Sequence, residues 1–305
     1  MVKPEVFQRA LVLTGPTGCG KTRAALSLAK CMDAEIVSVD SMAIYRGMDI
    51  GTAKPSVEER LEVPHHLIDV LDPWESASVA WWLEEAALLC DDIQNRGKKV
   101  LFVGGTALYL KAMISGLFDG PPASAELRER LEAEAAAEGR ESLHLRLHQI
   151  DPESANKLHP NDLRRVVRAL EVFELTGKPL SAWQQEWNVE RKWGPRCVWI
   201  DLPRTELYER IDLRVEQMFQ AGLVDEVVRL LELPQPLSRE ARQALGYKEV
   251  IEYLQGVMTL EETVTTIQTR TRQFAKRQVT WFRHLPGCHP VDGELTSSIW
   301  DNTMK

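Results

Sequence analysis

The chain has 305 residues, 44% apolar and 27% charged, a balance typical of a globular protein with one or two domains. No apolar run reaches the roughly 18 residues of a membrane-spanning helix, which argues against a membrane protein. The five cysteines are widely spaced and form no C-x-x-C pair, so we expect reduced thiols in a cytoplasm and no structural zinc site. The net charge of −8, taken alone, argues against a nucleic-acid partner.

Strands and helices alternate over roughly the first 118 residues of the sequence. An apolar strand at 9–14 leads into a glycine-rich turn and a helix, and buried strands are predicted at 34–40 and 65–70. A further helix begins after Ser78, and KKVLFVGGTALYLKAMISG then gives a strand, a glycine turn and a helix. This alternation predicts an α/β fold with a parallel sheet.

A cluster of helix-breaking residues, DGPPAS at 119–124, interrupts that pattern. The sequence then looks entirely helical to about residue 188 and returns to a strand within 192–203. We therefore predict a P-loop NTPase-like core formed by 1–122 and 189–305, with an inserted helical domain at 123–188. The C-terminal part of the core is predicted to be helical.

The octet GPTGCGKT, residues 15–22, fits the pattern G-x-x-x-x-G-K-[ST] between a strand and a helix. Its glycines let successive N–H groups surround an anion, and the helix N-terminus adds partial positive charge. Lys21 can neutralise a terminal phosphate, and the Thr22 hydroxyl can hold Mg²⁺. The alternative is a chance glycine-rich turn, and the motif does not say whose phosphates bind. The predicted phosphate cradle comprises Gly15, Pro16, Thr17, Gly18, Cys19, Gly20, Lys21 and Thr22.

The strand KKVLFV ends in Gly-Gly-Thr, without the aspartate that holds the metal in a working ATPase or GTPase. The acidic residue that does end a strand near the cradle is Asp40, in VSVDS. Carboxyl ends of parallel strands share the ligand-binding edge of a sheet. Asp40 is therefore a candidate metal ligand, catalytic base or cap for the segment that follows.

Two basic segments stand out in this acidic chain. Residues 263–291 contain no Asp or Glu, and a second cluster is formed by Arg164, Arg165 and Arg168. Such stripes can bind an anionic ligand locally, although a solvated helix face is the alternative. The basic residues of the first segment are Arg270, Arg272, Lys276, Arg277 and Arg283.

Six blocks of this sequence resemble, in order, those of the tRNA dimethylallyltransferase (tRNA isopentenyltransferase) family of the bacterial type. The blocks are GPTGCGKT, IVSVDSMAIYRGMDIGTAKP, PHHLIDV, LFVGGTALYLKAM, HPNDLRRVVRALEVFELTGKPLS and AKRQVTWFR. The resemblance implies transfer of a dimethylallyl group from its diphosphate to the exocyclic amine of the adenosine 3′ of the anticodon. It implies Mg²⁺, dimethylallyl diphosphate and the tRNA anticodon stem-loop as partners, and we expect a monomer.

The resemblance also implies roles for individual residues. Asp40 would accept the proton of the amine, Thr17 would lie near the diphosphate and the reacting centre, and Arg214 would reach the diphosphate. For Thr106 a helix cap, and for Arg214 a solvated helix position, are the alternatives. The residues implied to contact tRNA are Asp40, Ser41, Met42, Ala43, Thr106, Arg128, Arg164, Arg165, Arg168, Arg242, Gly246, Tyr247, Lys276, Arg277, Gln278 and Trp281.

Two competing functions share the cradle. A small-molecule or nucleoside kinase would transfer phosphate from ATP and could use Asp40 as its base. A non-catalytic RNA-binding module that senses a nucleotide would tolerate the loss of Asp40. The aromatic pair Trp281 and Phe282 could stack on bases or belong to the core.

Overall fold

The structure is a computed structural model that describes residues 2, 4–117, 120–187, 194–292 and 295–304. The chain divides into two compact units. One comprises residues 115–191, and the other comprises 2–114 together with 192–305. Among the described residues, no helix has both the length and the apolar character needed to cross a membrane.

The larger unit is built on a six-stranded sheet in which all paired strands are parallel, as the sequence predicted. The strands are β1 (Leu11–Thr14), β2 (Ala34–Val39), β3 (His65–His66), β4 (Lys99–Gly104), β5 (Arg196–Ile200) and β6 (Cys288–Val291). Their order in the sheet is β3-β2-β4-β1-β5-β6. Because β4 lies between β1 and β2, the carboxyl ends of these three strands are neighbours.

Two strand predictions differ from the structure. The strand predicted at 65–70 is confined to His65–His66, because Leu67 and Asp69 adopt positive φ angles of 57° and 56° and end the extended conformation. Strand β6 was missed within the C-terminal part that was predicted to be helical. It has four residues, includes Pro290 and lies at the sheet edge, where a proline is tolerated.

The helices pack on both faces of the sheet or form the second unit. Side-chain caps define the start of several of them; before Val79–Asn95, for example, the Trp81 N–H donates to Ser78 Oγ at 3.1 Å. The helices of the larger unit are α1 (Lys21–Met32), α2 (Val57–Glu62), α3 (Val79–Asn95), α4 (Ala107–Ser115), α10 (Arg204–Gln220), α11 (Leu223–Leu231), α12 (Arg239–Arg242), α13 (Tyr247–Leu254) and α14 (Leu260–Arg283). Short 3₁₀ helices lie at Pro4–Phe7 and Ser297–Met304.

The second unit is helical among its described residues. Its helices are α5 (Ala125–Glu138), α6 (Arg140–Ile150), α7 (Pro152–Lys157), α8 (Leu163–Thr176) and α9 (Leu180–Trp187). Its core is formed by buried aliphatic side chains, among them Leu131, Leu147, Val166 and Leu170. It therefore has an apolar core of its own.

Glu35 on β2 is a buried carboxylate that we expect to contribute to acid stability. It accepts hydrogen bonds from Arg96 and lies 2.7 Å from His66 Nε2. The Arg96 hydrogen bond lowers the pKa of Glu35 to about 2, against the opposing effect of burial. This shift corresponds to about 3 kcal/mol, which the partial exposure of Arg96 reduces to about 2 kcal/mol.

The stabilisation from Glu35 is present above pH 4.5, the ordinary pKa of a glutamate in the unfolded chain, and is lost as the pH falls through about 2. We expect Glu35→Gln to lower the free energy of unfolding near pH 7 by about 2 kcal/mol and to flatten its decline below pH 4.5. Urea unfolding at a series of pH values measures this. Glu84→Gln, at an exposed position of α3, is the control. An unchanged acid limb in Glu35→Gln contradicts the prediction.

Candidate active site

The predicted phosphate cradle connects β1 to α1. Gly18 and Gly20 both have φ angles of 85°, in the left-handed region that side chains disfavour. The N-cap residue of α1 is Gly20, which has no side chain to accept a hydrogen bond. The first N–H groups of the helix are therefore unsatisfied and point toward the cradle. Lys21 Nζ donates to Pro16 O at 3.3 Å, which folds the ammonium group back over the loop. A glycine-rich loop and an uncapped helix start of this kind are able to bind an anion.

Helix α10 runs along the cradle. A Cβ added at Gly18 would lie 2.9 Å from Ile211 Cγ1, and one added at Gly20 would lie 3.5 Å from Arg210 Nη1. One turn further on, burial lowers the pKa of the Arg214 guanidinium, whereas the electrostatic attraction of Asp40 raises it. Arg214 therefore lies within electrostatic range of Asp40, and its role at the diphosphate stays a prediction. Arg210, which lies beside the cradle and pairs with Glu206 at 2.5 Å, is absent from the predicted site residues, although its i, i+4 spacing from Arg214 could have indicated it.

Asp40 follows β2 and acts as a cap for the next turn. Its Oδ1 accepts from Met42 N at 2.8 Å and from Ala43 N at 3.2 Å. No hydrogen bond to Oδ2 is formed by the part of the chain that the structure describes. The capping interpretation and a chemical role are therefore compatible, since one oxygen fixes the carboxylate and the other is available to a substrate.

The turn after β4 lies against the end of β2. Val39 O accepts from both Gly105 N and Thr106 N at 3.1 Å. Thr106 Oγ1 in turn accepts from Ser41 N at 3.1 Å, next to Asp40. The position where an ATPase carries its metal-binding aspartate is therefore occupied by a Gly-Thr turn that orders the Asp40 loop.

Four residues predicted as RNA contacts, Ala43, Gly246, Tyr247 and Gln278, are buried in the protein. The Tyr247 side chain is 1% exposed, and its hydroxyl donates to Glu226 Oε1 at 2.6 Å. Glu226 also accepts from the backbone N–H groups of residues 49–51. Gln278 is 4% exposed and accepts from Thr17 N at 2.9 Å. In this structure the Tyr247 and Gln278 side chains support loops and present little surface to RNA. The neighbouring Gly246 is buried, whereas Arg242 is exposed.

The basic residues of α14 separate into two groups. Arg270 pairs with Glu249 at 2.5 Å and Arg272 with Asp212 at 2.6 Å, so these charges are balanced within the protein. The other basic residues, Lys276, Arg277 and Arg283, are exposed. Sequence spacing did not reveal this division because the acidic partners belong to other helices.

The two adjacent aromatic residues of α14 also differ. Trp281 is 40% exposed, so its ring can reach a ligand. Phe282 is buried, with its ring centroid 6.1 Å from that of Trp199 on β5. The sequence allowed either base stacking or a core position for these aromatic residues, and Phe282 is a core residue.

The basic cluster of the helical unit is similarly divided. Arg128 donates to Glu171 at 2.9 and 3.0 Å and Arg168 donates to it at 2.6 Å. Burial raises the pKa of Glu171, but these two arginines outweigh burial and hold it below its usual value. Arg164 and Arg165 are exposed, and Arg165 pairs with Asp162 at 3.0 Å.

Comparison with known proteins shows the family. A family described as IPP transferase matches residues 43–285, and one described as isopentenyl transferase matches 8–69. A protein of Geobacter metallireducens named tRNA dimethylallyltransferase is 47% identical over 92% of each chain. A Symbiobacterium thermophilum protein of the same name is 49% identical over 90% of this chain and 86% of its own.

Solved structures agree with the sequence comparison. The tRNA isopentenylpyrophosphate transferase of Bacillus halodurans has a TM-score of 0.69 and 39% identity, covering 97% of this chain and 94% of its own. A eukaryotic dimethylallyltransferase described as acting on tRNA has a TM-score of 0.77 and 29% identity, covering 97% of this chain and 76% of its own. The chain, with its cradle, Asp40 loop and basic helix, therefore belongs to the tRNA dimethylallyltransferase (IPP transferase) family.

Proposed function

We propose that this protein transfers a dimethylallyl group from dimethylallyl diphosphate to the exocyclic amine of the adenosine 3′ of the anticodon in tRNA, with release of pyrophosphate. The observation that carries the proposal is the junction of the phosphate cradle with the Asp40 loop at one sheet edge. The relatives' names support it, since they call those proteins tRNA dimethylallyltransferases.

The cradle suits a diphosphate leaving group. Prenyl transfer breaks a carbon–oxygen bond, and negative charge grows on the diphosphate in the transition state. The α1 N-terminus, Lys21 and Arg214 concentrate positive charge where that charge develops. No water or γ-phosphate has to be activated, which is consistent with the absence of a carboxylate after β4.

The residues at the start of α1 fit a magnesium ion. Thr22 is half-buried on the first turn, and its hydroxyl makes no hydrogen bond within the described chain. A hydroxyl beside diphosphate oxygens is a suitable donor set for Mg²⁺. We propose that Thr22 holds Mg²⁺ together with the substrate, where the ion would neutralise charge on the diphosphate.

Asp40 is proposed as the base for the adenosine amine. Its Oδ1 is fixed by two backbone N–H groups, which orients Oδ2 for the proton that the amine loses during attack. The target base must leave its stack to reach this edge, at a cost of a few kcal/mol. Thr106 is proposed to contact the base, and Thr17 the diphosphate and the reacting centre.

RNA binding is proposed for exposed basic residues of both units. Candidate phosphate contacts are Lys276, Arg277 and Arg283 on α14, with Arg164 and Arg165 on α8. The exposed Trp281 provides a stacking surface. We further propose a monomeric, cytoplasmic enzyme that recognises the anticodon stem-loop.

The decisive experiment mixes the protein, Mg²⁺, labelled dimethylallyl diphosphate and unmodified tRNA without ATP. Label in the RNA is the expected result, and its position is checked by mass spectrometry of nucleosides. A kinase would instead consume ATP and leave the RNA unlabelled. Binding of RNA with neither reaction would indicate a nucleotide-sensing module, and both of these outcomes contradict the proposal.

Arg165→Ala is expected to weaken tRNA binding through the loss of one phosphate contact. The Arg165 side chain is 70% exposed, and its surface ion pair with Asp162 leaves the charge accessible. The slope of log affinity against log salt should decrease by roughly 0.7–0.9, the contribution of one phosphate. Fluorescence anisotropy at several salt concentrations measures it. Arg130→Ala, an exposed arginine paired with Glu174 in the same unit, is the control, and an unchanged slope excludes Arg165 from the contact set.

A further inference from the structure

The side chain of Gln278 bridges two loops of the candidate active site. Its Oε1 accepts from Thr17 N at 2.9 Å, and its Nε2 donates to Gly105 O at 2.8 Å. Thr17 lies in the phosphate cradle, while Gly105 precedes Thr106, whose hydroxyl orders the Asp40 loop. One carboxamide therefore connects the cradle to the turn beside the proposed base.

The environment of Gln278 shows that this bridge is built into the fold. The residue is 4% exposed, so both amide atoms act inside the protein. A Cβ added at Gly105 would lie 2.5 Å from Gln278 Nε2, which shows that the amide fills the space left by the missing side chain. The bridging amide is thus packed as well as hydrogen-bonded.

Gln278, which forms the bridge, lies on α14, the helix whose exposed face holds basic residues. Gln278 lies two positions after Lys276, about 200° around the helix, so the two side chains point to opposite sides. Lys276 and Arg277 are exposed, whereas Ala275 and Gln278 are buried. Helix α14 thus has one face toward solvent and one face on the active-site loops.

We propose that Gln278 is a positioning residue that fixes the cradle relative to the turn carrying Thr106, and so sets the diphosphate in register with the base Asp40. The chemistry of the bridge requires an amide, because Thr17 N offers a donor and Gly105 O offers an acceptor. A carboxylate can accept the hydrogen bond from Thr17 N, but it repels the carbonyl oxygen of Gly105. A leucine of similar size satisfies neither and leaves both backbone groups unpaired. The inference rests on the proposed prenyl transfer.

The test compares Gln278→Glu with wild type across pH 5–9. At high pH the ionised carboxylate faces Gly105 O, and we expect kcat to fall by about 10- to 100-fold because the loops lose their register. As the pH falls and the introduced carboxyl group becomes protonated, it can donate to Gly105 O again, so the deficit relative to wild type should narrow. The dissociation constant for tRNA, measured by anisotropy, should change by less than about twofold, because the side chain is buried.

Gln273→Glu, at an exposed position on the same helix, is the matched control for the added charge and should keep the wild-type pH profile. Thermal unfolding is measured for every variant. If Gln278→Glu does not fold, Gly105→Ala provides the second test, because its methyl group would lie 2.5 Å from Gln278 Nε2 and displace the amide, with a looser 3.2 Å approach to Gly15 O. It should lower kcat in the wild-type background and have a smaller effect in Gln278→Leu.

For Gln278→Glu, three outcomes overturn the inference. The first is full kcat, the second is a kcat deficit that does not depend on pH, and the third is a selective loss of tRNA affinity. The last would assign Gln278 to RNA contact instead. Additive effects of Gly105→Ala and Gln278→Leu contradict it too. If the wild type transfers no label, the proposed function fails, whereas an active wild type with an unaffected Gln278→Glu variant contradicts the positioning role alone.

Discussion

Asp40→Asn is expected to lower prenyl transfer by about 10²–10⁴-fold and to leave tRNA affinity nearly unchanged. Asparagine keeps an oxygen that can accept from Met42 N and Ala43 N, so the turn after β2 is preserved. It loses the capacity to take up a proton from the adenosine amine. Asp40→Ala should lose turnover equally and also destabilise this turn, because the acceptor itself is removed.

Single-turnover transfer of label to tRNA measures the chemical step for these variants, and anisotropy measures RNA binding. Asp91→Asn, an exposed aspartate on α3, is the control for the loss of one negative charge. Full turnover in Asp40→Asn would show that Asp40 is a cap and not a base. It would also favour the alternative that the protein is a non-catalytic RNA-binding module, which tolerates the loss of Asp40.

Lys21→Met is expected to lower turnover by about 10²–10³-fold, the cost of removing one group that stabilises developing charge. The ammonium group lies over the cradle, bonded to Pro16 O, and it is the cationic side chain of the octet itself. Inhibition by pyrophosphate should weaken in parallel, because the product carries the same charge. Transfer assays over a range of diphosphate concentrations separate the effects on kcat and KM.

Lys30→Met is the control on the same helix, since Lys30 is exposed and pairs with Glu62 at 2.5 Å, away from the octet. If Lys21→Met kept wild-type turnover and pyrophosphate inhibition, the cradle would not be the diphosphate site. ATP-dependent phosphate transfer that was lost in the same variant would favour the kinase alternative.

Local sequence signals predicted much of the sheet and the cradle because they depend on neighbouring residues. The octet carries glycines at positions with positive φ, and Ser78 begins a helix that the structure caps there. The short strands were predicted less well: β6 has four residues and a proline, and 65–70 is broken by positive φ angles. A pattern of six residues carries too little periodicity to show these local conformations.

The roles of the basic residues depended on partners distant in sequence. In the sequence Arg270, Arg272, Lys276 and Arg277 form one basic segment. In the structure Glu249 pairs with Arg270, and Asp212 pairs with Arg272. In the helical unit, Glu171 likewise pairs with Arg128 and Arg168. Since an arginine's availability is set by what faces it, spacing along one helix is insufficient to identify phosphate contacts.

The sequence by itself determined the class of sheet, the position of the cradle and Asp40 as the acidic strand end, because backbone conformation and strand order follow local residue patterns. Only the tertiary structure decided how these parts meet. It placed β4 between β1 and β2, brought Arg214 within electrostatic range of Asp40, buried Tyr247 and inserted Gln278 between two loops. Gln278 and Gly105 are 173 residues apart, so their contact arises only when the chain packs.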